Sequence, residues 1–365
     1  MENTPKADIL FIPWEQSGVG LYRLIIPALS LGDRKLAEVT TFGNFSGNIT
    51  DLSKIDMGYI TEAIKYKTHN ILYTTKPLTP LHVALCQTLQ EKGKMKWVMD
   101  MDDNIIEVNK DNPGYAAFSK EGKGDNRFYI EEAMQECDLL VTSTENLRDL
   151  YKKYNENIFV HPNSIDFRFW KLDNAHGING KVRIGWAGAG GHRFDLSLIA
   201  GAIAELKKEF GKKIQIVTFG GEKPTFSEEH HDWVSLQDYP EKLASLGFDI
   251  GIAPLRDNLY NRGKSNLRWL EYSSLKIPTV ASNVLPFRNT TARLASDEIE
   301  WYQHLKELIL DSKLRLAEGQ KGYDRVRYKF NASKNVRKLS ERLEQLLCQK
   351  KTSSLAKKFL KKRGQ

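Results

Sequence analysis

The sequence predicts an α/β protein of two doubly wound domains in tandem. Short apolar runs alternate with longer helical patterns almost from end to end, as parallel sheets require. The alternation breaks once, at a turn-rich stretch, and then restarts. At 365 residues the chain is also too long for one ordinary core.

In the first half, strands are expected at residues 9–13, 70–74, 96–100, 138–142 and 157–161, with helices at 81–91 and 145–154. Residues 171–180 (KLDNAHGING) lack periodicity and read as the interdomain linker. Strands resume at 182–186, 214–219, 249–253 and 279–281, separated by helices at 196–210, 240–246 and 265–275. From Glu298 the pattern is helical, ending in 335–347. The expected division is an N-terminal domain over 1–167, a C-terminal domain over 168–330, a terminal helix over 331–349 that braces the first domain, and a basic tail over 350–365. A ligand is expected in the cleft, at the carboxyl ends of the strands.

Composition narrows the function classes. The 41% hydrophobic content is that of a soluble globular protein, no apolar run reaches the length of a membrane span, and the first residues lack a signal-peptide pattern. Cys86, Cys137 and Cys348 form no CxxC, which argues against a disulfide framework or a cysteine zinc site and suits a cytoplasmic setting. The net charge of +8 is concentrated at the end: residues 350–365 carry seven Lys or Arg and no acid, leaving about +1 for the rest. The body is therefore not a uniformly basic nucleic-acid binder. The tail reads either as a basic amphipathic helix able to contact DNA or an anionic membrane, or as a disordered solubilising end.

The most informative stretch is 260–282, YNRGKSNLRWLEYSSLKIPTVAS. A basic lead-in (Arg262, Lys264), with Ser265 beside it as a further donor-binding candidate, precedes a helix with one acid, Glu271, and then a β-branched strand. Cations at a helix start suit phosphate, and a carboxylate further along suits ribose hydroxyls. A surface helix with a salt bridge is the competing reading. Gly188-Ala189-Gly190-Gly191, followed by His192, Arg193 and Asp195, can form an anion nest. His192 there reads as functional or as a solvated side chain.

Gly18 and Gly20, with Arg23 on the first helical turns, are either part of a dinucleotide fingerprint or simply a tight strand-to-helix turn. The third glycine is missing. Asp100, Asp102 and Asp103 follow a buried strand, where carboxylates bind a cation, act as a base, hold sugar hydroxyls or cap the next segment. His230 and His231 lack a third metal ligand and read as solvated loop residues.

Taken together, these motifs resemble GT-B glycosyltransferases, most closely family 4 of the retaining enzymes and their phage-associated relatives. The resemblance rests on GWAGAGGHRFD, YPEKLASLGFDIGIAPL, the basic loop with its Glu-bearing helix and IPTVAS strand, and VTSTENLRDLYKKYNENIFVHPNSID with Pro162, Asn163 and Asp166. It implies two Rossmann-like domains facing a cleft, with C-terminal helices crossing back to the first. It also implies a nucleotide-diphosphate sugar, UDP-sugar foremost, held by the second domain with Glu271 on its ribose. Many family members carry a second glutamate eight residues upstream; here that position is Gly263, and Lys264 and Arg262 are the expected grips on phosphate.

The implied activity is metal-free glycosyl transfer, with no cofactor and with retention, to a glycan, lipid-linked, protein or nucleic-acid acceptor. Arg193, Lys264 and the glycine-loop amides would neutralise the diphosphate, while Gly18–Gly20 would face it from the first domain. In an inverting enzyme an Asp of the 100–103 cluster would be the base. Two alternatives stay open: a transferase acting on hydroxylated bases in DNA, and a non-catalytic nucleotide-binding protein or NAD-type oxidoreductase. The protein is expected in the cytoplasm, at a membrane surface or on nucleic acid.

Overall fold

Parallel strands need crossovers, and most of the crossovers here contain helices. The computed structural model describes residues 6–14, 17–41, 57–108, 110, 112, 114–118, 126–175, 177–189 and 192–349. The side chains of Met57 and Arg193 lie outside that description, as do Gly190, Gly191 and the 350–365 tail.

The first sheet contains β1 (Asp8–Ile12), β2 (Glu38–Thr41), β3 (Ile71–Thr75), β4 (Lys96–Met101), β5 (Leu139–Thr142) and β6 (Ile158–Val160). The second contains β7 (Val182–Ala187), β8 (Ile214–Phe219), β9 (Glu229–His231), β10 (Ile250–Ala253), β11 (Thr279–Ser282) and β12 (Arg293–Ala295). Every pairing is parallel. The orders are β2-β1-β3-β4-β5-β6 and β12-β11-β10-β7-β8-β9. Each sheet therefore reverses strand order once, beside its first strand, which is the doubly wound pattern the sequence predicts. Among the described residues no helix is long and apolar enough to cross a membrane.

The chain divides into two compact units. Unit 1 takes Met1–Met101, Asp125–His161 and Val336–Gln365; unit 2 takes Asp102–Gly124 and Pro162–Asn335. The core of unit 1 joins Ile9, Phe11, Ile71, Val98, Leu139 and Val141 of the sheet to Leu24, Ala28 and Leu31, and to Val336, Leu339, Leu343 and Leu346. That last set recurs at helical spacing along Ala332–Cys348. The core of unit 2 forms around Ile184, Ile216, Ile250, Ile252 and Val280, against Ile203, Leu206, Trp301 and Leu305.

Unit 1 holds two of the residues expected at a site. Arg23 and Asp100, both expected at a ligand, are 1% and 2% exposed and bonded to each other. Arg23 Nε and Nη2 donate to Asp100 Oδ1 and Oδ2 at 2.7 and 2.9 Å, Nη1 donates to the His161 carbonyl at 2.7 Å, and the Tyr73 hydroxyl donates to Asp100 Oδ2 at 3.0 Å. A bidentate pair whose atoms are this fully hydrogen-bonded keeps both charges tolerable inside the core. Gly18–Gly20 is the first turn of a helix capped by Ser17, and open space surrounds the position of a Cβ on Gly18.

Removing one member of the Arg23–Asp100 pair strands the other charge. Arg23→Ala is expected to lower unfolding stability by about 3–5 kcal/mol, with a smaller loss than the sum of the single changes when Asp100 is replaced too, measured by urea denaturation. Burial also holds two histidines of unit 1 neutral: His82 is pushed down from 6.5 to about 4, and His161, with Arg23 adding to the effect, to about 3. The unfolded chain binds these protons first as pH falls. Stability is therefore complete above pH 6.5 and declines toward pH 4, by about 3 kcal/mol for His82 alone, visible as a falling urea midpoint that His82→Phe flattens.

Candidate functional site

In unit 2 the sheet reverses order between β7 and β10. The two strands pair only at Ile184↔Ile250 and Gly185↔Gly251. Beyond that point the Tyr272 hydroxyl takes over, accepting from the Ala187 N–H at 2.9 Å and donating to the Ile252 carbonyl at 3.3 Å. Tyr272 can reach this place because residue 251 is glycine: a Cβ there would lie 2.5 Å from its ring. A crevice outside parted strand ends is where doubly wound sheets bind ligands.

The segment leaving β7 turns through Gly188 and Ala189 to His192 and the short helix Arg193–Leu196. Asp195, 3% exposed, ties this segment to the one leaving β10. Its Oδ2 lies 2.8 Å from His192 Nδ1, and its Oδ1 accepts from the Arg256 N–H at 2.9 Å. A carboxylate only accepts, so Nδ1 carries the imidazole proton and Nε2 the lone pair. Burial holds the His192 pKa below its ordinary value; Asp195 opposes this, and Lys264 and Arg268 reinforce it. His192 is therefore neutral at pH 7.

Lys264 approaches from the segment after the short helix Leu259–Arg262. Its ammonium lies 3.6 Å from Asp103 Oδ1 and 4.8 Å from the centre of the Tyr260 ring. Burial disfavours that charge, but Asp103, Tyr260, Asp102 and Asp195 outweigh it, and Lys264 titrates above its ordinary value. Asn104 reinforces the same junction by donating to the Leu259 carbonyl at 3.0 Å. Arg262 points elsewhere: it pairs with Asp257 at 2.7 Å and is 47% exposed. Ser265 Oγ accepts from Asn163 Nδ2 at 2.8 Å.

Glu271 lies on the helix Leu267–Ser274 and is 3% exposed. Arg268, one turn earlier, donates to its Oε2 at 2.5 Å, and the Tyr239 hydroxyl donates to the same oxygen at 3.0 Å. Arg268 also donates to the Tyr239 oxygen. Burial, with Glu271 nearby, keeps the Tyr239 phenol well above its ordinary pKa and so protonated. The Tyr239 ring stacks on Phe219, at 5.4 Å, and on Trp233, at 5.1 Å.

The structure thus brings His192, Lys264 and Glu271 into one charged cluster with Asp102 and Asp103. Gly190, Gly191 and the Arg193 side chain lie outside the described residues. Sequence reasoning missed Arg268 and Tyr239; the i,i+3 spacing of Arg268 and Glu271 was a readable signal, whereas Tyr239 lies 32 positions from its partner. His230 and His231 are corrected from loop to strand: both lie in β9, with His230 Nδ1 2.9 Å from Thr218 Oγ1 and His231 Nε2 2.7 Å from Glu229 Oε1. Among the described residues no group of three or more His, Cys, Asp or Glu is placed to hold a metal ion.

No family model matches the chain, and no curated protein sequence matches it. Solved structures do. A glycosyltransferase from Rickettsia africae ESF-5 is 14% identical with a TM-score of 0.61, over 95% of this chain and 100% of that one. The catalytic domain of starch synthase IV from Arabidopsis thaliana, bound to ADP and acarbose, is 8% identical with a TM-score of 0.65, over 94% and 100%. An alpha-glucosyltransferase in complex with UDP-glucose and DNA containing an abasic site is 13% identical with a TM-score of 0.65, over 93% and 99%. At such identities the likeness is one of fold, and it bears out the GT-B architecture of two Rossmann-like domains.

The charge cluster makes a prediction of its own. Because Lys264 helps to depress the His192 pKa, Lys264→Met should raise it, read from the imidazole Cε1 proton shifts across a pH titration. An unchanged midpoint would mean that the two groups do not share a field.

Proposed function

We propose that this chain is a glycosyltransferase, carrying a sugar from a nucleotide-diphosphate sugar, UDP-sugar foremost, to an acceptor hydroxyl. The observation that carries the reading is the meeting of Lys264, Arg268 and a neutral His192 with the buried Glu271 at the β7/β10 reversal. Two cations suit a diphosphate, and a carboxylate beside them suits ribose hydroxyls. Asn266, which starts the helix Leu267–Ser274, makes no side-chain cap bond, so the first amides of that helix add donors for an anion. The fold shared with enzymes solved with ADP or UDP-glucose supports the same class.

In transfer, the bond from the anomeric carbon to the diphosphate oxygen breaks as the acceptor oxygen bonds to that carbon. Lys264 and Arg268 would stabilise the charge that gathers on the leaving phosphate. We favour retention, with the departing phosphate oxygen taking the acceptor proton. Asp100 is hydrogen-bonded to Arg23 and Tyr73, and Asp103 is ion-paired with Lys264, so neither resembles an uncommitted base. Metal independence belongs to the same proposal, with the two cations doing what a divalent ion does elsewhere.

A DNA acceptor is the second reading. It is favoured by the neighbour solved with UDP-glucose and DNA, and by the seven cations of the tail. Loss of salt-dependent DNA retention and of sugar transfer to hydroxylated-base DNA on deleting 350–365 would support it.

The direct test is a binding and hydrolysis screen of UDP-, GDP-, ADP- and dTDP-sugars. One donor should bind and turn over; Lys264→Ala should lower kcat by about 100-fold or more, and Glu271→Gln should raise KM about tenfold. Product NMR would read the anomer. Turnover unaffected by both substitutions would remove the site from the reaction.

A further inference from the structure

Trp233 is 46% exposed, yet its ring packs against two buried aromatic side chains. Its ring stacks on Phe219 at 5.8 Å and on Tyr239 at 5.1 Å, with interplanar angles of 23° and 30°. The strand just before it, β9, is anchored: Glu229 takes the buried Arg183 guanidinium at 2.7 and 3.0 Å, and the His231 carbonyl accepts from the Gly220 N–H at 2.8 Å. Gly220 has φ +71°, and a Cβ there would sit 2.5 Å from the Trp233 ring. The left-handed turn that ends β8 therefore closes directly onto the indole.

A large apolar ring fixed in place and left open at the carboxyl end of a parallel strand is a prepared surface for another flat ring. Its location says which ring. Tyr239 touches Trp233 with its ring and Glu271 with its hydroxyl, so one phenol spans the distance between the indole and the carboxylate. A nucleoside has the same layout: a flat, uncharged base at one end and ribose hydroxyls at the other.

We infer that Trp233 is the stacking platform for the nucleobase of the bound nucleoside diphosphate. The inference rests on the reading of unit 2 as the donor-binding unit and extends it to a residue outside the charged cluster. Stacking uses the π face common to every base, so Trp233 supplies affinity for a base as such and leaves the choice among bases to edge contacts.

The probes are UDP, GDP and ADP, with inorganic pyrophosphate as the baseless control, titrated calorimetrically into wild type, Trp233→Phe and Trp233→Ala. Far-UV circular dichroism and thermal midpoints confirm that the variants fold. Trp233→Ala should weaken the preferred nucleoside diphosphate by about 10- to 100-fold while leaving pyrophosphate binding unchanged, and Trp233→Phe should keep most of the affinity. Quenching of tryptophan fluorescence on nucleotide binding should vanish in Trp233→Phe. Wild-type affinity in Trp233→Ala overturns the inference alone, as does a loss of pyrophosphate binding equal to the loss of nucleotide binding. Wild-type protein that binds none of the three nucleotides overturns the donor reading and the inference together.

Discussion

The phenol of Tyr272 fixes the site in unit 2. Where β7 and β10 stop pairing, two backbone groups would otherwise lose their partners inside the protein, an expensive omission. The Tyr272 hydroxyl satisfies both, so the strands can part without leaving orphaned groups. The same contact locks the helix that carries it. Glu271 is the neighbouring residue and Arg268 lies one turn earlier, so both inherit a fixed position beside the opening. Asp195 does equivalent work on the other rim by joining the segments that leave β7 and β10.

The charges around that opening are balanced before any ligand arrives. Lys264 faces Asp103, Arg268 faces Glu271, and His192 is kept neutral by burial and by those same cations. A phosphate entering here would meet donors already oriented, which limits the reorganisation left to binding. Unit 1 treats its buried charges differently: Arg23 and Asp100 saturate each other and leave little for a ligand.

The sheets were legible where strands are apolar and central, since a buried parallel strand reads as a hydrophobic run. β8 falls where the sequence places it, at Ile214–Phe219. The strands that escaped are β2, β9 and β12, with sequences EVTT, EHH and RLA. All three lie at sheet edges and are three or four residues long, too short and too mixed for any pattern to announce them. In the charged cluster, Lys264 and Glu271 were readable because their charges lie within one short stretch, a loop and the helix it leads into. The bond between Arg23 and Asp100 could not be read because it spans 77 positions, and local sequence carries no mark of such a contact. Trp233 was invisible for the same reason: only the fold sets it against Phe219 and Tyr239.

The composition of unit 1 has a consequence for how the molecule is made. Val336, Leu339, Leu343 and Leu346 complete a hydrophobic interior begun by Ile9 and Phe11. During synthesis the amino-terminal sheet must wait, one wall missing, until Leu346 has been made, whereas unit 2 has all its parts once Asn335 emerges. The later-encoded half is thus free to mature first, and the earlier-encoded half is the one that nascent-chain chaperones would have most reason to shield.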